Sequence, residues 1–275
     1  MSDAPAGPSS VTGSLPLYKN PKPINVQAHK GKGLSFTDKP FGFLAEQHFV
    51  PLTMGEFAPA SARFPVIFLG ERKTPVAAMG LQAGVNLFVD PETGQFEQFA
   101  YLPAFVRRYP FVAASHTEDK ERFTVCVDEG SHLYSNTPEE PFFGADDQPT
   151  PFLERAIDFV RRFENDVKTT ESFVARMEEL DLFDQQSATF QPRDGQGQPN
   201  GEPQVVASYW GISGEKLQKL PAETLVELRD NTYLGAIYAH MISMAAWEYV
   251  ITRAALRQGV NATMGDLAPP PAPES

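Results

Sequence analysis

The sequence predicts an α+β fold, with an N-terminal, mostly β-sheet half packed against a C-terminal set of helices. Between Phe64 and Asp128 the apolar residues fall in short runs rich in Val, Ile and Phe, divided by Gly and Pro. Strands joined by tight turns have that composition. At Thr150 and Pro151 the apolar period changes from two residues to nearly four, from the repeat of a pleated strand to that of a helix. The two kinds of segment are grouped along the chain instead of alternating, which disfavours a doubly wound sheet.

The strand reading starts with residues 65–70, 75–81 and 85–89, followed by a tight turn over 90–94. Residues 101–111 combine Tyr101, Phe105, Tyr109 and Phe111 with Pro103 and Pro110. Such an aromatic area is favourable only when buried, and the prolines fix the backbone at both ends. The segment reads as an extended keystone of the fold. Residues 123–128, with β-branched residues at their centre, give a further strand. Upstream, Thr53 and Glu56 have the spacing of a capping box over a short helical turn.

The helical half opens with Thr150 as N-cap and Pro151 in the first turn. Phe152, Ala156, Phe159, Val160, Phe163 and Val167 form one stripe, the core-facing side of an amphipathic helix. The pattern resumes at Phe173, with Thr169 and Thr170 marking either a break or an exposed turn. Residues 185–203 are rich in Gln, Gly, Pro and Asp and read as a flexible loop. Residues 233–256 read as one helix, apolar nearly all round and buried by default. These readings give a single domain over 17–265, β-rich over 17–130 and helical over 150–257. It lies between a disordered lead-in, 1–16, and a disordered Pro-rich tail, 266–275.

The chain has 275 residues and a formal net charge of −12. Like charge gives it no general attraction for nucleic acid or anionic lipid. One cysteine, Cys126, allows no intrachain disulfide. Residues 1–16 lack the basic and apolar regions of a Sec signal peptide, which points to the cytoplasm. No transmembrane segment is expected.

Several phrases occur in a telling order. They are Leu17-Tyr18-Lys19-Asn20-Pro21, His48-Phe49-Val50-Pro51-Leu52, Phe64-Pro65-Val66-Ile67-Phe68 and Asn86-Leu87-Phe88-Val89-Asp90. Residues 101–111 follow, then Pro149-Thr150-Pro151, Phe159-Val160-Arg161-Arg162-Phe163 and Leu220-Pro221-Ala222-Glu223. With these the chain resembles the SapC family of bacterial proteins from about residue 17 to residue 253. The resemblance implies a link to the paracrystalline surface layer, and hence a cell-surface location as the alternative to the cytoplasm. It also implies a neighbourhood with flavin-dependent tryptophan-halogenase-like proteins and outer-membrane receptors. It carries over no catalytic residue. The expected role is non-enzymatic, surface-layer-associated or accessory, with a surface-layer component or a flavoprotein as partner. No cofactor or metal is expected.

The residues themselves offer a few chemical candidates. Cys126 and His132 have the types of a thiolate–base pair, but a mid-strand Cys is ordinarily a small buried apolar group. Asp128, Glu129 and His132 could supply two oxygens and a nitrogen to a metal, at a spacing that matches no firm motif. His48 and His240 read as hydrogen-bonded core histidines. Arg107 and Arg108, read on a strand, point to opposite faces, and an inward arginine needs a carboxylate. The structural reading pairs it with the acidic stretch 164–166 or with Asp128. The functional reading is an anion or ligand site built from Arg107, Arg108, Asp128 and His132.

Overall fold

The computed structural model of the protein describes residues 17–115, 123–191, 198 and 201–257. The expectations for residues 1–16 and 266–275 lie outside the described residues. In chain order the strands are β1 (Pro21–Pro23), β2 (Gly33–Leu34), β3 (Phe49–Pro51), β4 (Val66–Leu69), β5 (Thr74–Ala78), β6 (Phe111–Ser115), β7 (Phe123–Asp128), β8 (Tyr134–Ser135), β9 (Glu140–Pro141), β10 (Phe183–Phe190) and β11 (Gln204–Ile212). The α-helices are α1 (Val26–His29), α2 (Phe57–Ala60), α3 (Ala104–Arg107), α4 (Pro151–Glu179), α5 (Gly214–Gln218), α6 (Ala222–Asp230), α7 (Tyr233–Ser243) and α8 (Ala246–Arg257). The fold is α+β, with strands dominating the N-terminal half and helices the C-terminal half. Among the described residues no helix is long and apolar enough to cross a membrane.

The chain divides into two compact units, one from residues up to 37 and 108–164, the other from 38–107 and from 165 onward. In the first unit an antiparallel sheet has the order β1-β7-β6, with Phe111 opposite Val127. A small sheet has the order β8-β2-β9. Gly33 in β2 is required by space, since a Cβ there would lie 2.1 Å from the Glu140 carbonyl oxygen. The core gathers Phe111, Val127, Phe142, Leu153 and Val160, each worth about 1.5–3 kcal/mol when fully buried. Thr150 caps α4 as expected, its Oγ1 accepting from the Leu153 N–H at 3.3 Å and donating to the Pro141 carbonyl at 2.7 Å.

The second unit holds an antiparallel sheet of order β10-β11-β4-β5-β3. One core cluster comprises Ile67, Val76, Ala78, Ala188, Tyr209 and Trp247. Phe57 stands edge-on to Phe68 and to Phe173, both at 5.9 Å between ring centroids, a favoured aromatic geometry. His240 of α7 is buried. Its Nδ1–H donates to the Val66 carbonyl at 2.6 Å and its Nε2 accepts from the Ile212 N–H at 3.0 Å. The sequence reading of His240 as a satisfied core histidine holds. Burial keeps the ring neutral, pulling its pKa down to about 4.

Four local expectations are corrected. Residues 85–89 form a loop, with a single bridge from Val89 to Phe96. The buried Asn86 side chain fixes it, donating to the Gln47 carbonyl at 3.0 Å and accepting from the Phe88 N–H at 2.8 Å. Arg107 ends the helical turn α3 and Arg108 directly follows it, so neither lies on a strand. Residues 185–190, expected in a loop, belong to β10, whose polar sequence is carried by its pairing with β11 from Phe183–Ile212 to Phe190–Gln204. The late apolar segment is two helices, α7 and α8. At the end of α7, Ser243 Oγ donates back to the His240 carbonyl at 2.6 Å and accepts from the Val66 N–H at 2.9 Å. Such back-bonding competes with helix propagation. At Thr169 and Thr170, by contrast, α4 is unbroken.

Candidate functional site

The four sequence-derived residues divide between the units. Arg108, Asp128 and His132 fall in the first and gather around two tyrosines. Arg108 Nη1 donates to Glu164 Oε1 at 3.0 Å, with the two side chains 6% and 23% exposed. The Arg108 guanidinium carbon lies 4.3 Å from the Phe163 ring centroid and 5.9 Å from that of Tyr18. The arginine is thus paired with a carboxylate of α4 and lies over the Phe163 and Tyr18 rings, which a planar guanidinium suits.

Tyr18 and Tyr109 sit 5.5 Å apart by ring centroids. The Tyr18 hydroxyl donates to the Phe111 carbonyl at 2.9 Å. Burial pushes its pKa up to about 12, outweighing the opposing Arg108 charge. The Tyr109 phenol is also raised, first by burial. His132 stacks on the Tyr109 ring at 6.5 Å and 26°. Partial burial, then the charge of Lys19, hold its pKa below the ordinary histidine value.

Asp128 is fully buried. Its Oδ2 accepts from the Lys19 N–H at 3.0 Å, and its Oδ1 accepts from the N–H groups of Asn20 at 2.7 Å and Gly130 at 3.0 Å. Backbone donors surround this carboxylate and bind the chain entering β1 to the end of β7. Cys126 is buried within β7, its thiol pushed up to about 11 by burial alone. A thiol held in that protonated form lacks the thiolate character a nucleophile needs. Among the described residues no three His, Cys, Asp or Glu side chains are grouped as a metal site requires.

Arg107 belongs to the second unit and is exposed. Its Nε donates to the Leu102 carbonyl and its Nη2 to the Tyr101 hydroxyl, both at 3.0 Å. Tyr101 in turn donates to Glu56 Oε1 at 3.0 Å. Glu56 is a residue whose full role the sequence conceals. The capping-box reading gives its contact with Thr53, and Oε2 does accept from the Thr53 N–H and hydroxyl at 2.8 and 2.9 Å. Its Oε1 also accepts from the Ala104 N–H at 2.6 Å. That contact supplies a charged cap to α3 from 48 residues away.

The second unit also contains a groove of about 570 Å³, which the sequence reading did not find. Leu81, Val85 and Leu87 form one wall. Their loop doubles back tightly, because a Cβ on Gly80 would lie 2.0 Å from the Val85 carbonyl oxygen. Phe190 of β10 and Val206 of β11 form the next wall, and Ile251, Ala254 and Ala255 of α8 close it. Leu81, Val206 and Ile251 pack on the core cluster that contains Tyr209 and Trp247. Two polar side chains line the groove, Gln82 and Arg257. The available sequence signal was the pair Ala254-Ala255, two adjacent small residues in the last turns of α8.

The family model described as SapC matches residues 24–249 of the chain. No curated protein and no solved structure matches it. The matched span includes Arg107, Arg108, Asp128 and His132 but stops short of Ile251, Ala254 and Arg257.

Proposed function

The chain belongs to the SapC family, and from that premise we propose that it is a non-enzymatic accessory protein that docks on a surface-layer component through the outer face of α7. The carrying observation is the composition of that face. Tyr238 and Ile242 are 51% and 66% exposed and stand one turn apart, so they share one stripe. Leu234 and Met241 are half-buried. The helix carries no Asp, Glu, Lys or Arg over its length, in a chain that is 21% charged. Val226, on α6, is 45% exposed. Single exposed apolar residues are ordinary, but a row of them on an uncharged helix is the composition of a protein-binding surface. The partner it suits presents an apolar, uncharged patch of its own.

The contacts of the charged candidates support the same reading. Arg108 is matched by Glu164, and Asp128 is surrounded by backbone donors. Both side chains are tied into the fold of the first unit, which favours a structural role for them.

Cell fractionation followed by cross-linked co-purification of the full chain tests the proposal. The expected result is recovery in the envelope fraction together with a surface-layer component. Recovery in the cytoplasmic fraction with a flavin-dependent tryptophan-halogenase-like protein would replace this reading with that of a cytoplasmic flavoprotein partner.

A further inference from the structure

The groove beside α8 has the chemistry of a ligand site separate from the α7 face. Its walls are aliphatic apart from Phe190, and its volume of about 570 Å³ lies within the roughly 300–1,000 Å³ that small-molecule sites occupy. The apolar residues near it are poorly covered. Val205, which lines it, is 63% exposed and Leu256, beside Arg257, is 57% exposed. Against this apolar lining stands one cation. Arg257 is exposed and its Nη1 donates to the Asn86 carbonyl at 2.7 Å. That acceptor is neutral and takes up a single donor of a group that has five. Among the described residues no carboxylate lies within ion-pair distance of Arg257. The Arg257 charge is felt at Asp90, whose carboxyl is held below the usual carboxylate range by hydrogen bonds from Thr93 and Glu92 and, least of the causes, by Arg257. Asp90 Oδ1 is occupied by the N–H groups of Glu92 at 2.9 Å and Thr93 at 2.7 Å. The neighbouring Arg253 differs, because it is paired with Glu97.

We propose that this groove binds a medium-chain acyl carboxylate, with the hydrocarbon chain along Leu81, Val85, Val206, Ile251 and Ala254 and the carboxylate on Arg257. The guanidinium fork matches a carboxylate in two parallel hydrogen bonds, and Gln82 adds an amide that can donate or accept. The mostly aliphatic lining runs along the groove as an apolar surface that a flexible hydrocarbon chain can follow. Binding would bury apolar walls that otherwise meet water.

The probe is decanoate, titrated into the full chain below its micelle concentration and followed by calorimetry. Decanol serves as the uncharged analogue and acetate as the chainless one. The expected result is saturable binding of one decanoate per chain, with decanol at least tenfold weaker and acetate undetectable. Arg257→Gln should weaken decanoate at least tenfold and leave decanol unchanged. Ala254→Trp, which fills the groove from a half-exposed position, should abolish both while leaving the circular dichroism spectrum and melting temperature of the parent. No saturable decanoate binding, equal affinity for decanoate and decanol, or insensitivity to Arg257→Gln would each overturn the proposal. These outcomes are independent of α7, so the groove and the docking face stand or fall separately.

Discussion

Arg108, whose guanidinium lies over the Phe163 ring, reaches Glu164 at 3.0 Å, while Arg107, its chain neighbour, is exposed and hydrogen-bonded to Leu102 and Tyr101. Adjacent residues of one type therefore differ in environment. Removing the cation of a buried pair costs about 3–5 kcal/mol, because the carboxylate is left unmatched. Glu164 is 23% exposed, so solvent screening places Arg108→Ala at the lower end of that range. Arg107→Ala should cost about 0–1 kcal/mol. Urea denaturation of both variants checks the pair. Melting of both within error of the parent would show that 101–111 holds no buried ion pair.

Glu56 should be intolerant of its closest isostere. Its two carboxylate oxygens accept from Thr53, Tyr101 and Ala104. A glutamine turns one of those oxygens into an NH₂ donor facing another donor. Glu56→Gln should cost about 3 kcal/mol, nearly as much as Glu56→Ala. Equal stability of Glu56→Gln and the parent would remove the carboxylate from the account of α3.

Acid should act through His240. Its pKa is about 4 in the folded chain and about 6.5 when unfolded. Between these values the unfolded state binds the extra proton, so stability is full above about pH 6.5 and falls as pH drops toward 4. The shift corresponds to roughly 3 kcal/mol. His240→Ala should be less stable at neutral pH, because the Ile212 N–H loses its acceptor, and should lose less stability than the parent on acidification. Parallel pH–stability curves for the two proteins would contradict this.

Cys126 should be unreactive while the chain is folded. Burial holds its thiol near 11, so at about pH 8 the thiolate is scarce and sheltered. A maleimide reagent should label it slowly in buffer and rapidly in denaturant. Rapid labelling in buffer would show that the first unit opens readily at β7.

How far the sequence speaks depends on how local the cause is. The Thr150 cap, the α4 stripe and strand β7 rest on neighbours a few residues apart, and all are legible. The arginine–carboxylate pair was legible as a requirement, since an aromatic segment that must be buried takes its arginine with it. The helical turn α3 was not, because its capping carboxylate comes from Glu56, far back in the chain. Strand β10 was concealed by its own polarity. Gln185, Gln186 and Ser187 show no strand pattern, and only the partner residues Trp210, Tyr209 and Ser208 specify one. The groove joins Leu81 to Leu87, Phe190 of β10, Val205 and Val206 of β11, and Ile251 to Arg257, stretches whose adjacency exists only in the folded unit.

The central claim, docking through α7, is tested most directly by a charge placed on its exposed face. Ile242 is solvent-exposed, so Ile242→Glu should leave the melting temperature of the full chain close to the parent's. Quantitative co-purification from the envelope fraction should then show a surface-layer component retained by the parent and reduced at least tenfold with Ile242→Glu. Equal recovery of that component with both proteins would contradict docking through α7.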